Sequence, residues 1–154
     1  MIVHRPDARA IRALRPQLAG LLREAVAEGY SLGFLAALDP AQAERYWNAV
    51  EQDVAAGSQK PNGSNRAELQ KMLVGSGMRR RGIGSALLAA AEHEALALRR
   101  GLLFLDTEAG SDAEALYGKA GYIRVGELPD YACDPHGRWR PTAIWYKTLF
   151  PRGR

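Results

Sequence analysis

The sequence predicts a single α/β domain, residues 1–154, with a central sheet of mixed strand pairing. Apolar residues recur at helical spacing in four segments, and short strand-like runs separate or follow these segments. Their order is helix, helix, strand, helix, strand, helix, strand, strand, and the strand–helix–strand units are typical of α/β folds. A chain of 154 residues buries about two-thirds of its unfolded surface, which suffices for a core.

The composition is that of an ordinary globular protein, with 47% hydrophobic and 25% charged residues. The net charge of +4 suits an anionic small molecule as well as a nucleic acid. The one cysteine, Cys133, excludes an internal disulfide and favours a reducing compartment. The sequence shows no signal-peptide stretch and no run near the ~20 apolar residues of a membrane span, so we expect a cytoplasmic protein.

The first elements are a short strand at residues 2–4 and a long amphipathic helix. Asp7 is the predicted N-cap of this helix, Pro16 kinks or splits it, and Gly29 ends it. The helical spacing is carried by Ile11, Leu14, Leu18, Leu21, Leu22, Ala25 and Val26.

A second helix begins at Asp39, followed by Pro40 at the first helical position and Gln42 at capping-box spacing. Its apolar face consists of Ala43, Trp47, Val50 and Val54. Gly57 ends it, and residues 57–65 have the composition of a loop.

Residues 66–74 predict a strand, and a helix follows Gly84 and stops at Gly101. The apolar stripe of this helix is Ile83, Leu87, Leu88, Ala91, Ala95 and Leu98. Residues 102–106 form an almost wholly apolar run, as expected of an interior strand in a parallel pair.

The C-terminal part predicts one more helix and two strands. Ser111 opens a capping box, and the helix it begins ends by Gly121. A strand is expected at 122–125, a turn-rich segment at 129–139 and a closing strand at 142–149.

The densest positive charge of the chain adjoins a glycine-rich stretch, MRRRGIGSAL at residues 78–87. The N-terminus of the helix after it offers unpaired N–H groups, and glycines let a phosphate approach the backbone. Arg79–Arg81 add charge and donors. The physical chemistry therefore favours a phosphate cradle, with a solvated basic turn as the alternative.

Two well-known phosphate motifs do not fit this stretch. A Walker motif requires lysine where Ile83 stands, and a Rossmann fingerprint requires a third glycine where Leu87 stands. The pattern that remains is Arg79-x-x-Gly82-x-Gly84 after a predicted strand.

With a second motif, Leu-Tyr-Gly-Lys-Ala-Gly-Tyr at residues 116–122, this pattern resembles the GNAT acetyltransferases. That family has a pyrophosphate loop of the form Gln/Arg-x-x-Gly-x-Gly/Ala, and later a tyrosine before Gly-aromatic. Further stretches are similar to a member that gives resistance to an amino-acid-like toxin, namely KPNG, NRAE, RGLLFLDTEAGS, RVGELPDY and PTAIWYKTL.

The resemblance implies a GNAT-type mixed sheet flanked by helices, and an N-acetyltransferase that uses acetyl-CoA without a metal. It further implies direct transfer to the primary amine of a small molecule, possible antibiotic resistance and a homodimer. The implied cofactor-binding residues are Met72, Leu73, Val74, Arg79, Arg80, Arg81, Gly82, Ile83, Gly84 and Ser85. Amides at 79–85 bind the pyrophosphate in this reading, and the strand at 69–74 splays from its neighbour.

The same resemblance assigns catalytic roles. The N–H of Met72 meets the acetyl carbonyl, where it stabilises an oxyanion. Glu68 opens the cofactor strand and Asp106 ends the next strand, and both are candidate bases for the ammonium, while Tyr117 is the candidate acid for the thiolate. Structural alternatives remain for each: an edge charge at Glu68, backbone capping by Asp106 and core packing of Tyr117.

The other reactive residues carry no motif. His4, His93 and His136 are isolated and are expected at the surface, and Cys133 lacks the neighbours of a nucleophile. No group of histidine, cysteine and carboxylate residues has metal-ligand spacing.

The sequence departs from the family in two places. The family has a β-hairpin before the cofactor strand, but residues 54–61 join the second helix to that strand directly. Without the hairpin, one edge of the cofactor strand is exposed. Three outcomes are open: residues 31–38 cover this edge, a second subunit covers it, or it stays uncovered in a chain of low stability or activity. Gly110 stands where many members have asparagine.

Three functions are therefore compared. The first is an N-acetyltransferase, and the second is a non-catalytic or degenerate acetyl-CoA-binding protein, which the missing hairpin motivates. The third is nucleic-acid binding through Arg79–Arg81, which the short basic run and modest net charge disfavour.

Overall fold

The computed structural model describes residues 6–30, 32–35, 37–56 and 63–150, with backbone only for 53–56. The predicted strand at 2–4 and the stop at Gly57 lie outside these residues. The elements in the described part are α1 (Ala8–Ala27), α2 (Pro40–Ala56), β1 (Arg66–Glu68), a 3-10 turn (Ser76–Met78), α3 (Ile83–Ala97), β2 (Leu102–Glu108), α4 (Asp112–Lys119), β3 (Ile123–Cys133) and β4 (Trp139–Thr148). This order confirms the predicted mixed α/β fold.

The first helix begins as predicted but is not split. Asp7 caps it, because its Oδ1 accepts the Ala10 N–H at 2.7 Å. Pro16 lies inside an uninterrupted helix, although proline removes a helical hydrogen bond. Buried residues on both sides of it, Ile11 and Leu22 among them, show that tertiary packing outweighs this local cost.

The sheet has the strand order β1-β2-β4-β3. β1 and β2 are parallel, whereas β4 runs antiparallel to both of its neighbours. β2 is therefore an interior strand, as its apolar sequence predicts. Between α2 and β1 the structure describes only residues 63–65, which contain no strand; most of the segment in which the sequence lacks the family's hairpin lies outside the described residues.

The strand predicted at 66–74 is much shorter in the structure. β1 ends at Glu68, and the last backbone bond to β2 is donated by the Leu69 N–H to the Phe104 carbonyl at 2.9 Å. Lys71 has φ 51°, a left-handed conformation that a regular strand does not contain. The predicted strand length was wrong, whereas the departure from β2 after Leu69 agrees with the splay that the family resemblance implies at 69–74.

The final hairpin is longer than predicted. β3 runs to Cys133, so the segment at 129–139 is mostly strand, and the turn is confined to residues 134–138. Register shifts within β3 accommodate this length. Asp134 builds the turn by accepting the backbone N–H groups of His136 at 2.9 Å and Arg138 at 3.0 Å.

The predicted end of α3 is also corrected. The helix ends at Ala97, and Arg99 takes the left-handed conformation, φ 56°, that was assigned to Gly101. Leu98 is exposed and lies outside the buried stripe. Gly101 is small for another reason, since a Cβ there would lie 2.9 Å from the Phe150 carbonyl oxygen.

Two apolar clusters form the core. One lies between the sheet and helices α3 and α4, and its buried members are Leu88, Ala95, Leu103, Leu105, Tyr117, Tyr122, Ala143 and Trp145. The other joins α1 and α2, and its buried members are Ala19, Leu22, Val26, Leu38 and Ala43. Met72 packs against the first cluster and Leu73 against the second, so the segment after β1 lies between them.

Two glycine substitutions test this packing in opposite directions. Gly20→Ala in α1 meets nothing within 4 Å, and it should stabilise the fold by about 0.4–1 kcal/mol. Gly101→Ala must displace backbone, and it should destabilise the fold by about 1–3 kcal/mol. Urea unfolding of both variants measures this, and a Gly101→Ala protein as stable as wild type contradicts the packing.

Candidate active site

Glu68 and Asp106 lie on the same face of the sheet. Glu68 is paired with Phe104 in the parallel register, and Asp106 is two residues further along β2, so the side chains share a face. Both residues are exposed. The Thr142 hydroxyl lies 3.2 Å from Asp106 Oδ2 and 2.9 Å from the Thr107 carbonyl, and it can donate to either; the structure shows no backbone N–H donor to Asp106 among the described residues.

Lys71 is the residue that the sequence analysis missed. Its Nζ lies 5.8 Å from the centroid of the Tyr46 ring, which belongs to α2. Burial lowers the pKa of Lys71, while the charges of Asp106 and Glu68 raise it. A cation therefore shares the region of the two carboxylates, but a lysine within a predicted strand carries no sequence signal for this position.

Tyr117 is buried in the core beside Tyr122 and Trp145, with ring centroids 5.9 Å and 6.5 Å away. Burial, and secondarily the charge of Asp106, raises the pKa of the Tyr117 hydroxyl. The hydroxyl is therefore protonated at neutral pH. No hydrogen bond joins this hydroxyl to another described residue.

The segment at residues 70–74 has backbone groups without backbone partners in the described part of the chain. Beyond Leu69 it makes no bond to β2, and the Val74 carbonyl instead accepts the Arg79 Nε–H at 3.1 Å. The N–H groups of Met72 and Val74 have no backbone acceptor within the described part of the chain, and their roles toward acetyl-CoA stay predictions.

The glycine-rich loop leads directly into the N-terminus of α3. Gly82 is the N-cap residue in a left-handed conformation, φ 77°, and a Cβ there would meet nothing within 4 Å. Open space next to unpaired helix-terminal N–H groups is suited to an anion. Gly84 has a packing role as well, because a Cβ there would lie 3.3 Å from Leu116 Cδ2.

The three arginines have different surroundings. Arg80 and Arg81 are exposed, whereas the Arg79 side chain is held against α1. Its guanidinium pairs with the Glu28 carboxylate and lies 4.9 Å from the centroid of the Tyr30 ring. Glu28 raises the pKa of Arg79, so this side chain shapes the loop and only its backbone is offered to a ligand.

A second contact fixes the other end of the loop. Glu24, one helical turn before Glu28, accepts the Ser76 N–H at 2.9 Å and also the Ser76 hydroxyl. These hydrogen bonds lower the pKa of Glu24. The spacing of four residues puts Glu24 and Glu28 on one face of α1, but such a pair in a sequence is indistinguishable from a solvated helix face.

Gly110 precedes α4 with φ 79°. Its N–H donates to Glu114 at 2.7 Å, and Glu114 also accepts from Trp145 Nε1 at 3.1 Å. The predicted capping box is therefore altered, because Ser111 makes no side-chain cap.

The remaining candidates lie apart from these groups. His93 and His136 are exposed, Cys133 is half-buried, and His4 is outside the described residues. Within the described part of the chain, no three histidine, cysteine or acidic residues are placed to hold a metal. No described helix is both long and apolar enough to cross a membrane.

Comparison with known proteins gives the class to which this arrangement belongs. Residues 15–122 match the model of the acetyltransferase (GNAT) family. The chain belongs to the GNAT family of acetyltransferases, and it is an acyltransferase by that membership.

Solved structures agree on the fold. The structure of yncA from Salmonella typhimurium with its cofactor acetyl-CoA has a TM-score of 0.79 at 14% identity, covering 100% of this chain and 96% of its own. A ribosomal-protein-alanine N-acetyltransferase from Brucella melitensis has a TM-score of 0.74 at 20% identity, covering 96% of this chain and 99% of its own. An aminoglycoside 6′-acetyltransferase type Ii has a TM-score of 0.68 at 23% identity, covering 99% of this chain and 100% of its own.

The contacts between α1 and the loop can be tested without a ligand. Glu28→Gln keeps the shape of the side chain but removes the ion pair with Arg79. Because a partly exposed pair contributes roughly 0.5–1 kcal/mol, the amides at 79–85 should exchange hydrogen about twofold to fivefold faster. Exchange of β2 should not change, and Glu44→Gln on the exposed face of α2 is the control. If the amides at 79–85 exchange hydrogen at the same rate in the Glu28→Gln and Glu44→Gln variants, α1 does not position the loop.

Proposed function

We propose that this chain transfers the acetyl group of acetyl-CoA to the primary amine of a small molecule, by direct transfer in a ternary complex. One observation carries the proposal. The unpaired backbone at 70–74 leads into the loop that opens α3, and both adjoin the face that carries Glu68 and Asp106. An acyl donor and an amine could meet at this junction.

The residues present fit acetyl-CoA. The N-terminal amides of α3, the open space at Gly82 and the exposed Arg80 and Arg81 suit a pyrophosphate. The peptide groups at 70–74, which have no backbone partners in the described part of the chain, suit the amide groups of a pantetheine arm. When bound, acetyl-CoA supplies the thioester, whose carbonyl carbon is the electrophile.

In the mechanism that we propose, each group transfers a proton or stabilises a charge. Glu68 or Asp106 accepts a proton from the substrate ammonium, directly or through water, because an alkyl ammonium with pKa near ~10 is mostly charged at neutral pH. The Met72 N–H stabilises the oxyanion that forms as nitrogen attacks. Tyr117, whose hydroxyl is protonated, donates to the departing thiolate.

For the acceptor we propose an amino-acid-like toxin or antibiotic. The support is the similarity of the sequence to tabtoxin resistance protein, carried by the stretches quoted above. The solved neighbours at low identity include enzymes for an aminoglycoside and for a ribosomal-protein alanine, so the fold alone does not select an acceptor.

A homodimer belongs to the same proposal because no described strand covers the outer edge of β1. The Leu69 N–H and the Asn65 carbonyl bond to β2, so the intervening backbone groups of Arg66 and Glu68 alternate away from it. A groove of about 940 Å³ lies beside this edge, lined by β1, β2 and α3. A second subunit that covers it would satisfy these groups.

The open edge also favours the second candidate function, a non-catalytic acetyl-CoA-binding protein. Release of free thiol from acetyl-CoA in the presence of a panel of primary amines separates the two. Amine-dependent release supports the enzyme, whereas binding of acetyl-CoA without release on any amine supports the non-catalytic protein.

Tyr117→Phe tests the chemical step in the same assay. The substitution keeps the ring in the core and removes a hydroxyl that has no described partner, so the fold should be retained. Loss of a general acid should lower kcat by roughly 10²- to 10⁴-fold with little change in KM. The exposed Tyr131, changed to phenylalanine, is the matched control. A Tyr117→Phe enzyme with kcat within twofold of wild type rules out this role.

A further inference from the structure

The Lys71 ammonium has no ion pair within the described residues. Lys147 provides a contrast in the same protein, since its Nζ lies 2.8 Å from both Glu92 carboxylate oxygens and 2.8 Å from the Ala120 carbonyl. Lys71 is also partly buried, and its Nζ lies 5.8 Å from the centroid of the Tyr46 ring. The charges of Asp106 and Glu68 reach it, but a partly desolvated cation without a direct ion pair has room for a closer anionic partner.

The backbone at this position is unusual too. Lys71 has φ 51°, a conformation that costs a non-glycine residue on the order of 1–3 kcal/mol. Gly33, on the segment before α2, adjoins the side chain, because a Cβ there would be in ordinary contact with Lys71 Nζ at 3.9 Å. The ammonium thus lies near Tyr46 and Gly33, and the charges of Glu68 and Asp106 act on it.

We infer that Lys71 binds a carboxylate of the acceptor, so that the acceptor is an aminocarboxylate rather than a plain amine. This inference rests on the proposed function. The charges are complementary to a zwitterion: Glu68 and Asp106 face the ammonium, and Lys71 faces the acid group. The carboxylate gives Lys71 a direct ion pair, which no described residue provides, whereas a plain amine does not.

The pKa of Lys71 agrees with this arrangement. Burial lowers it and the two carboxylates only partly oppose that effect, so the ammonium is desolvated in the absence of a ligand. A charge-assisted hydrogen bond at such a site is worth about 10- to 100-fold in affinity.

Matched acceptors test the inference on the full-length chain. Lysine is compared with cadaverine, and tyrosine with tyramine, because each pair differs only by the carboxylate. Wild type should prefer the amino acid by about 10- to 100-fold in kcat/KM. Lys71→Met should bring this ratio close to one by raising KM for the amino acid, with the plain amine little affected.

Two controls separate recognition from structural damage. Lys71→Arg should retain much of the preference, and Lys119→Met, at an exposed lysine of α4, should leave it unchanged. An unchanged ratio in Lys71→Met overturns the inference, as does a wild-type enzyme without preference. Acetylation of Lys71 itself, detected by mass spectrometry of the digested protein, also overturns it.

The failure of the inference is distinguishable from failure of the proposed function. If acetyl-CoA binds and plain amines are acetylated while no aminocarboxylate is, only the role of Lys71 is wrong. If acetyl-CoA binds and no acceptor reacts, the inference is overturned together with the catalytic proposal. If acetyl-CoA does not bind, the cofactor site is wrong.

Discussion

The departure of the chain from β2 after Leu69 is the constraint on which the rest of the site depends. Up to that residue the backbone is paired in a parallel ladder, and beyond it the peptide groups at 70–74 have no backbone partners among the described residues. Unpaired peptide groups near a core are costly. In the function we propose, a ligand with its own amides compensates for this cost, so the break in pairing is where we expect the cofactor arm to bind.

The break also brings the two halves of the core together. Met72 packs with the sheet cluster and Leu73 with the cluster of α1 and α2. Helix α1 then reaches the loop through Glu24 and Glu28, which hold Ser76 and the Arg79 side chain. The loop backbone is therefore positioned by a helix far from it in sequence, and its orientation depends on how α1 and α2 pack.

The sequence predicts well what local chemistry determines. The Asp7 cap, the interior strand β2 and the glycine loop before α3 all follow from residue types at fixed spacings. The errors arise where long-range packing decides. The left-handed Lys71 shortens β1, Arg99 takes the role assigned to Gly101, and an uninterrupted α1 contains Pro16.

The candidate site divides in the same way. The sequence indicated Glu68, Asp106, Tyr117 and the loop, because their order resembles a known family, and the structure now gives their surroundings. Nothing in the sequence indicated Lys71, Glu24 or Glu28. Charged residues in a strand or on a helix face usually indicate solvent exposure, and only the folded chain shows which partners they have.

The most direct test of the central claim is thermal unfolding of the full chain with and without acetyl-CoA. A ligand at 100 times its dissociation constant stabilises the native state by about 2.7 kcal/mol, so the account predicts a clear rise in Tm. A cooperatively unfolding protein whose Tm does not change at millimolar acetyl-CoA would contradict it, because the open backbone and the loop would then not form a cofactor site.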